Sequence, residues 1–327
     1  MKEFLLFGKN FTKCDQWKPG CWVNISCPDQ DELDYLRNLD VPESFITDIS
    51  DADERPRTEI DGDWLLTVLR VPRQTSDDDI PFNTIPVGVI TNGDLVIVLC
   101  YYKNIVVNDF IKYNSAKNIE IPNKLVLIMR LILSSAVWFL KYLKIINIDI
   151  NNAEDGLEQS MHNEDLLRLR NLQKSLVYFN TSIRGNMTLL VRLRTLFQNS
   201  GLIDKDMIED VDIELQQALN TVKVYSDILS GTMDAFASII SNNLNVIMKR
   251  MTSTSIILML PTFIASLYGM NVALPFEHRA WAFTFIAALC VLFSVGAFFL
   301  FRRIKWFEIF SHSSSTPLPS ARVVAKR

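Results

Sequence analysis

Apolar and polar residues alternate over short runs in the first third of the chain. Glu3–Phe7, Cys21–Ser26, Trp64–Val71, Ile85–Thr91 and Leu95–Tyr101 have strand length and are rich in β-branched and aromatic residues, so each predicts a β-strand. Pro19-Gly20 turns the chain into the second of these. Asn92-Gly93, between the last two, is a hairpin signal, because tight hairpin turns need positive φ at residues that tolerate it. Pro28-Asp29 opens a helix from Asp31 to Leu39 with acidic residues in its first turn, and a second short helix starts near Pro42. Residues 1–121 therefore read as an α/β domain.

From Pro122 the period lengthens to that of helices. One helix runs from Pro122 to about Ile146. Another runs from about Asn163 to Gln198, with Leu166, Leu169, Leu172, Leu176, Phe179 and Ile183 on its apolar face, until Asn199-Ser200-Gly201 breaks it. Asp204 to Tyr268 holds only Gly231 and Pro261 as breakers. As one helix it is about 100 Å long, at about 1.5 Å per residue. Residues 122–250 are thus a helical stalk region.

Hydropathy adds a membrane part. Met251 to Tyr268 carries no charge, and 251–271 reads as a first span. A short loop, 272–279, separates it from a second apolar run, 280–301. Leu125 to Ile146 is comparably apolar, but Arg130, Lys141 and Lys144 interrupt it, and a charge near a bilayer centre costs about 2.5–3.5 kcal/mol. That segment reads as a soluble helix buried on most sides. The fold class is an α+β membrane protein: an N-terminal α/β cytoplasmic domain, then a long stalk helix continuing into the first of two C-terminal transmembrane helices. The tail, 302–327, starts basic, becomes rich in serine, and reads as disordered.

Charge sets the orientation. Lys249 and Arg250 precede the first span, and Arg302, Arg303 and Lys305 follow the second, so both flanks, and both termini, belong on the cytoplasmic side of a cell membrane. Phe4-Leu5-Leu6-Phe7 is too short for a signal-peptide core. The net charge of −4, without a Lys/Arg stripe, argues against a nucleic-acid partner. The five cysteines form no C-x-x-C pair, so neither a zinc site nor a disulfide framework is expected. The sequons opened by Asn10, Asn24, Asn180 and Asn186 are chance matches on that side of the membrane. His162, His278 and His312 are far apart in sequence, and no nucleophile motif or phosphate loop accompanies them, so an enzyme is not expected.

The long helix carries a stripe of its own. Steps of three and four connect Asp234, Ser238, Ser241, Asn245, Met248, Thr252, Ser255, Met259, Thr262 and Ser266, which keeps one face toward a common axis in a left-handed bundle. The stripe is mostly small and polar where a packed core would be Leu or Ile. Two readings stay open: hydroxyls that bind helix to helix, or the wall of a water path. The length of the stripe favours the path. Rings of neutral oxygens suit a divalent cation such as Mg2+, which sheds its water reluctantly. Met248 and Met251 would make apolar rings that stop flow by dewetting, or else simply pack.

Tyr268-Gly269-Met270-Asn271 ends the first of the two spans, within PTFIASLYGMNV from Pro261 to Val272. In this position the motif resembles the hallmark of the CorA family of magnesium and divalent-cation channels. Glu54-Arg55-Pro56-Arg57 with Glu59, and Trp22-Val23-Asn24, are similar less specifically. The resemblance covers nearly the whole chain. It implies a homopentamer in the lipid bilayer, with Gly269, Met270 and Asn271 as the selectivity filter and Asn271 holding hydrated Mg2+ by outer-sphere contacts. Met259 and Thr262 would line the pore, Met248 with Met251 near it would form the constriction, and Asp234 and Asn245 would line the cytoplasmic end. Cytoplasmic Mg2+ would close the channel by bridging Asp77, Asp78 and Asp79 of one subunit to Asp210 of its neighbour, with Asp206, Glu209 and Asp212 assisting. Without that role these are solvated loop and helix-start acids. The outer loop offers only Glu277, offset by Arg279, so its pull on cations is weaker than in many relatives. The expected function is import of hydrated Mg2+, with Co2+ or Ni2+ as further ions. The alternatives are a zinc transporter of the ZntB type and a membrane-anchored ion sensor that conducts nothing. The absence of Cys and His from the stripe favours the harder ion.

Overall fold

The computed structural model describes residues 1–8, 11–75, 80–160, 163–197, 204–270, 279 and 281–304. Its contacts divide the chain into Met1–Met233 and Asp234–Arg327.

The first unit is built on a seven-stranded sheet of order β2-β1-β3-β7-β6-β5-β4. The strands are β1 (Lys2–Leu6), β2 (Lys13–Cys14), β3 (Cys21–Ser26), β4 (Arg57–Asp61), β5 (Trp64–Gln74), β6 (Phe82–Asn92) and β7 (Leu95–Cys100). Of these strands only β3 and β7 pair in parallel, through Trp22↔Val96 to Ser26↔Cys100; the other pairs are antiparallel. That parallel pair needs a crossover, and the crossover carries α1 (Gln30–Asn38) and α2 (Glu43–Ser50) before the chain returns through β4, β5 and β6.

Burial follows from this layering. Leu36, Phe45, Ile46 and Ile49 of α1 and α2 pack on Val23, Ile25, Leu66, Val68, Ile90, Ile97 and Leu99. The strand residues between these are buried as well, so both faces of the sheet are covered. The second cover is α4 (Lys124–Ser160) and α5 (Asn163–Phe197), which pack on β5 and β6. There Phe82 meets Tyr142 and Phe179 at ring separations of 5.4 and 6.3 Å, and Phe139 meets Phe179 edge-on at 5.0 Å. Gly88 admits the close approach of α2: a Cβ there would lie 2.2 Å from Cδ1 of Ile49.

The expected strands are present, some longer than their apolar runs. β5 continues to Gln74 and β6 begins at Phe82. The helix signals also hold. Asp29 is the N-cap of α1 and exchanges side-chain bonds with Glu32, a capping box. The hairpin turn falls one residue later than expected: Asn92 pairs with Leu95, so the positive φ (51°) belongs to Gly93 as the first of two loop residues.

Three elements lie outside the expectation. β2 is two residues long, and β4 reads Arg-Thr-Glu-Ile-Asp at the sheet's edge, so neither has an apolar run. α3 (Val106–Lys117) has a broken apolar pattern and ends on Asn118 with φ 51°. α4 also continues past Ile146 to Ser160. The break expected at Asn199-Ser200-Gly201 lies outside the described residues.

α6 (Lys205–Tyr268) is one helix with Pro261 inside it, and α7 (Ala282–Arg303) follows. Among the described residues three helices are long and apolar enough to cross a membrane: Lys124–Gly156 within α4, then α6 and α7. The most apolar window of α4 is 61% buried within the protein, against 6% for α6 and 0% for α7. The apolar surface of α4 is therefore used against the sheet and α5, while that of α6 and α7 is left for other surroundings.

Candidate ion pathway

The stripe occupies α6 within the second unit. Asp234, Ser238, Ser241, Asn245, Met248, Thr252, Ser255, Met259, Thr262 and Ser266 are in the main exposed in the single chain, and so is Met251 beside them. The buried residues of the same stretch are Phe236, Val246 and Ser253. At about 100° per residue these fall on the opposite side of the helix from the stripe. Pro261 lies on that opposite side too, and its carbonyl accepts from the Cys290 thiol of α7 at 3.9 Å. So α7 meets the back of α6, and the polar stripe faces away.

The hydroxyls on the stripe have a defined polarity. Ser238 Oγ donates to the Asp234 carbonyl at 3.0 Å, and Thr262 Oγ1 donates to the Leu258 carbonyl at 2.8 Å. A hydroxyl that gives its hydrogen to its own helix presents lone pairs outward. Such an oxygen accepts from a water whose hydrogens point away from a cation. That is outer-sphere contact, which leaves the inner shell of Mg2+ intact. Pro261 has no N–H to give, so the Ile257 carbonyl loses its usual helical partner.

The helix closes at the tripeptide. Gly269 N donates to the Ala265 and Ser266 carbonyls at 3.0 and 3.2 Å, and Met270 N donates to the Leu267 carbonyl at 3.3 Å, which tightens the last turn. Gly269 and Met270 are both exposed. Asn271 and the outer loop after it, apart from Arg279, lie outside the described residues.

The acids expected to bind regulatory Mg2+ fall in two places along the chain. Asp77, Asp78 and Asp79 also lie outside the described residues. Asp206, Glu209 and Asp210 are exposed in the first turns of α6, and Asp212 accepts from Gln216 Nε2 at 2.6 Å. Among the described residues no group of three or more His, Cys, Asp or Glu side chains is placed to hold a metal ion.

The other residues that carried the resemblance have structural roles. Arg57 is gripped by Asp48 of α2, by Glu54 and by Glu59 of β4. Pro56 packs so close to α5 that a Cβ on Gly185 would lie 2.7 Å from its Cγ. Arg70 reaches the Glu54 carbonyl at 2.7 Å and the Thr84 hydroxyl at 3.0 Å. Burial pushes the Arg70 guanidinium below its ordinary value, with Asp53, Asp51 and Glu54 acting in the opposite direction. Trp22 is fully buried and meets Phe11 edge-on at 5.4 Å. Sequence reasoning did not identify the Arg70 network, and its only local signal was a charged residue inside an apolar strand.

The sequence profile of the CorA-like Mg2+ transporter protein family matches residues 17–303. The cobalt/magnesium transport protein CorA of Methanocaldococcus jannaschii is 25% identical over 301 residues, covering 87% of this chain and 90% of that protein. Its namesake from Thermotoga maritima is 30% identical over 166 residues, 49% of this chain and 46% of that one. Among solved structures, the complete CorA magnesium transporter of M. jannaschii superposes with a TM-score of 0.80 at 23% identity, covering 94% of this chain and 98% of that chain. The cytoplasmic domain of ZntB from Vibrio parahaemolyticus superposes with a TM-score of 0.58 at 13% identity, covering 74% and 97%. At these identities the structural likenesses speak for the fold.

Proposed function

Because this chain belongs to the CorA-like Mg2+ transporter family, a family of membrane ion transporters, we propose that it conducts hydrated Mg2+ through a homo-oligomeric pore, with Co2+ and Ni2+ as further ions. One observation carries this reading: the polar stripe of α6 lies on the side away from α7, and its described hydroxyl bonds turn oxygen lone pairs outward. Several copies, five by the family resemblance, would face their stripes toward a shared axis. Asn271 would then ring the outer mouth, with Gly269 and Met270 beside it. Met248 would form the narrow apolar ring, and Asp234 would concentrate cations at the inner end. The basic residues flanking α6 and α7 support placing both termini on the cytoplasmic side of the cell membrane.

Closure by cytoplasmic Mg2+ belongs to the same proposal. The ion would bridge Asp77, Asp78 and Asp79 to Asp210 of an adjacent copy, and its loss would let those acids repel. The exposed position of Asp210 supports this. No catalytic step is part of the reading.

The test is Mg2+ entry into liposomes holding the purified protein and an internal dye, with wild type compared against Asn271→Ala. Loss of entry in a folded, oligomeric variant is the expected result. Equal entry in both would remove Asn271 from the filter. Zinc entry without Mg2+ entry would transfer the reading to the ZntB type, and entry of neither ion would leave the sensor.

A further inference from the structure

Cys14 and Cys21 are separated by six residues of chain, yet their sulfurs lie 3.8 Å from each other. The register explains the approach. Cys14 stands opposite Phe4 and Cys21 opposite Leu6, so both thiols leave the same face of the sheet, on either side of β1. Cys14 is half-buried, and Cys21 is fully buried. We propose that the two form a modification site: a dithiol that a small-molecule disulfide, such as an oxidised low-molecular-weight thiol, converts reversibly into an intrachain disulfide.

The step balances in two exchanges. The Cys14 thiolate attacks one sulfur of the reagent and releases one reagent thiolate, leaving a mixed disulfide at Cys14. The Cys21 thiolate then attacks the Cys14 sulfur and releases the second. The protein gives up two electrons and two thiol protons, and the reagent leaves as two thiols. Access assigns the order, since only Cys14 of the pair is open to a reagent. Burial pushes the Cys21 thiol up, which suits an internal partner better than a first attacker. Strands two apart in a sheet lie about 9.5 Å from each other and a disulfide spans at most about 7 Å between Cα atoms, so β2, a two-residue edge strand paired with β1, must lift off β1 for the bond to close. Cys100 is the internal contrast. It is buried, its thiol is pushed up to about 11 by burial, and its sulfur accepts from Asn104 Nδ2 at 3.1 Å.

The bond would tie edge strand β2 to β3 across β1. This site stands apart from the ion pathway and does not depend on it. The test uses the full-length protein equilibrated in glutathione buffers from reduced to oxidised, then alkylated and cut with a protease that cleaves before aspartate. Asp15 separates the two cysteines. The expected result is a Cys14 peptide linked to the Cys21 peptide, with the linked share rising as the buffer is oxidised and returning to free thiols with dithiothreitol. The link should persist in Cys27→Ser, and Cys21→Ser should stop at a glutathione adduct on Cys14. Three results would overturn the proposal: a glutathione adduct as the end point in wild type, a link that disappears in Cys27→Ser, or Cys14 and Cys21 alkylated throughout.

Discussion

Asn186 of α5 holds Arg70 of β5 by both of its backbone groups. The Arg70 N–H donates to Asn186 Oδ1 at 2.9 Å, and Asn186 Nδ2 donates to the Arg70 carbonyl at 2.8 Å. The reason lies in the sheet. In an antiparallel ladder the N–H and C=O of one residue face the same neighbouring strand, and β4 pairs with β5 only as far as Arg57↔Val68, so it ends before reaching Arg70. One helix side chain supplies the rung that β4 does not provide. Asn186 is fully buried, so its sequon is closed to modification in the folded chain. Asn186→Leu should leave both Arg70 groups unsatisfied at about 1–3 kcal/mol each. Thermal unfolding of the full-length protein in detergent should show a loss of about 2–6 kcal/mol, with helix content unchanged before the transition.

Phe139 tests where α4 belongs. It is fully buried against Phe179, in a helix whose composition also suits a membrane. Phe139→Ala should cost about 3–5 kcal/mol, the usual penalty of a core cavity. A loss well below about 1 kcal/mol in denaturant unfolding would mean that the ring faces lipid or solvent.

Two helical glycines should respond in opposite directions. Gly185→Ala drives a methyl into the Pro56 ring, which cannot turn aside, and should destabilise by about 1–3 kcal/mol. Gly231 has nothing within 4 Å of an added Cβ, and alanine there should stabilise α6 by up to about 1 kcal/mol. Paired melting curves decide the sign of each.

The stripe should tolerate no large apolar group. Ser255→Leu puts a dry ring into the proposed path and should abolish Mg2+ entry into liposomes. Leu292→Ile, on exposed apolar surface of α7, should leave entry at the wild-type rate. Equal entry in both variants would take the stripe out of the path.

Acid should weaken one ion pair in a set order. Arg37 bonds Glu43 through Nε and Nη2 at 3.1 and 3.0 Å, and this holds the Glu43 carboxyl below the usual carboxylate range. A lowered folded-state pKa means that the stabilisation is complete above the ordinary value and lost as pH falls through the lowered one. The gap in melting temperature between wild type and Arg37→Gln should be constant above about pH 5 and should close in stronger acid. A gap that persists there would mean that Arg37 acts through packing.

What was legible in the sequence was carried by neighbours along the chain. The strand Cys21–Ser26, the Asp29 cap and the unbroken course of α6 all depend on contacts within a few residues. The polar stripe was legible for the same reason, because the pitch of one helix sets its periodicity. The Gly-Met-Asn ending was readable as a motif, although Asn271 itself lies outside the described residues. β4 was not legible, because an edge strand of charged residues has a partner but no apolar run.

By itself, then, the sequence determined the types of those elements that carry an apolar period, the apolar helices and the face on which the stripe runs. Arg130, Lys141 and Lys144 already marked α4 as a soluble helix, and tertiary structure alone decided which surfaces cover it, those of the sheet and α5. It alone brought Asn186 to Arg70, 116 residues away, and Cys14 to Cys21 across an intervening strand. The physical reason is the range of the forces: propensity, capping and periodicity act between chain neighbours, whereas burial and hydrogen-bond satisfaction are settled only when distant segments meet.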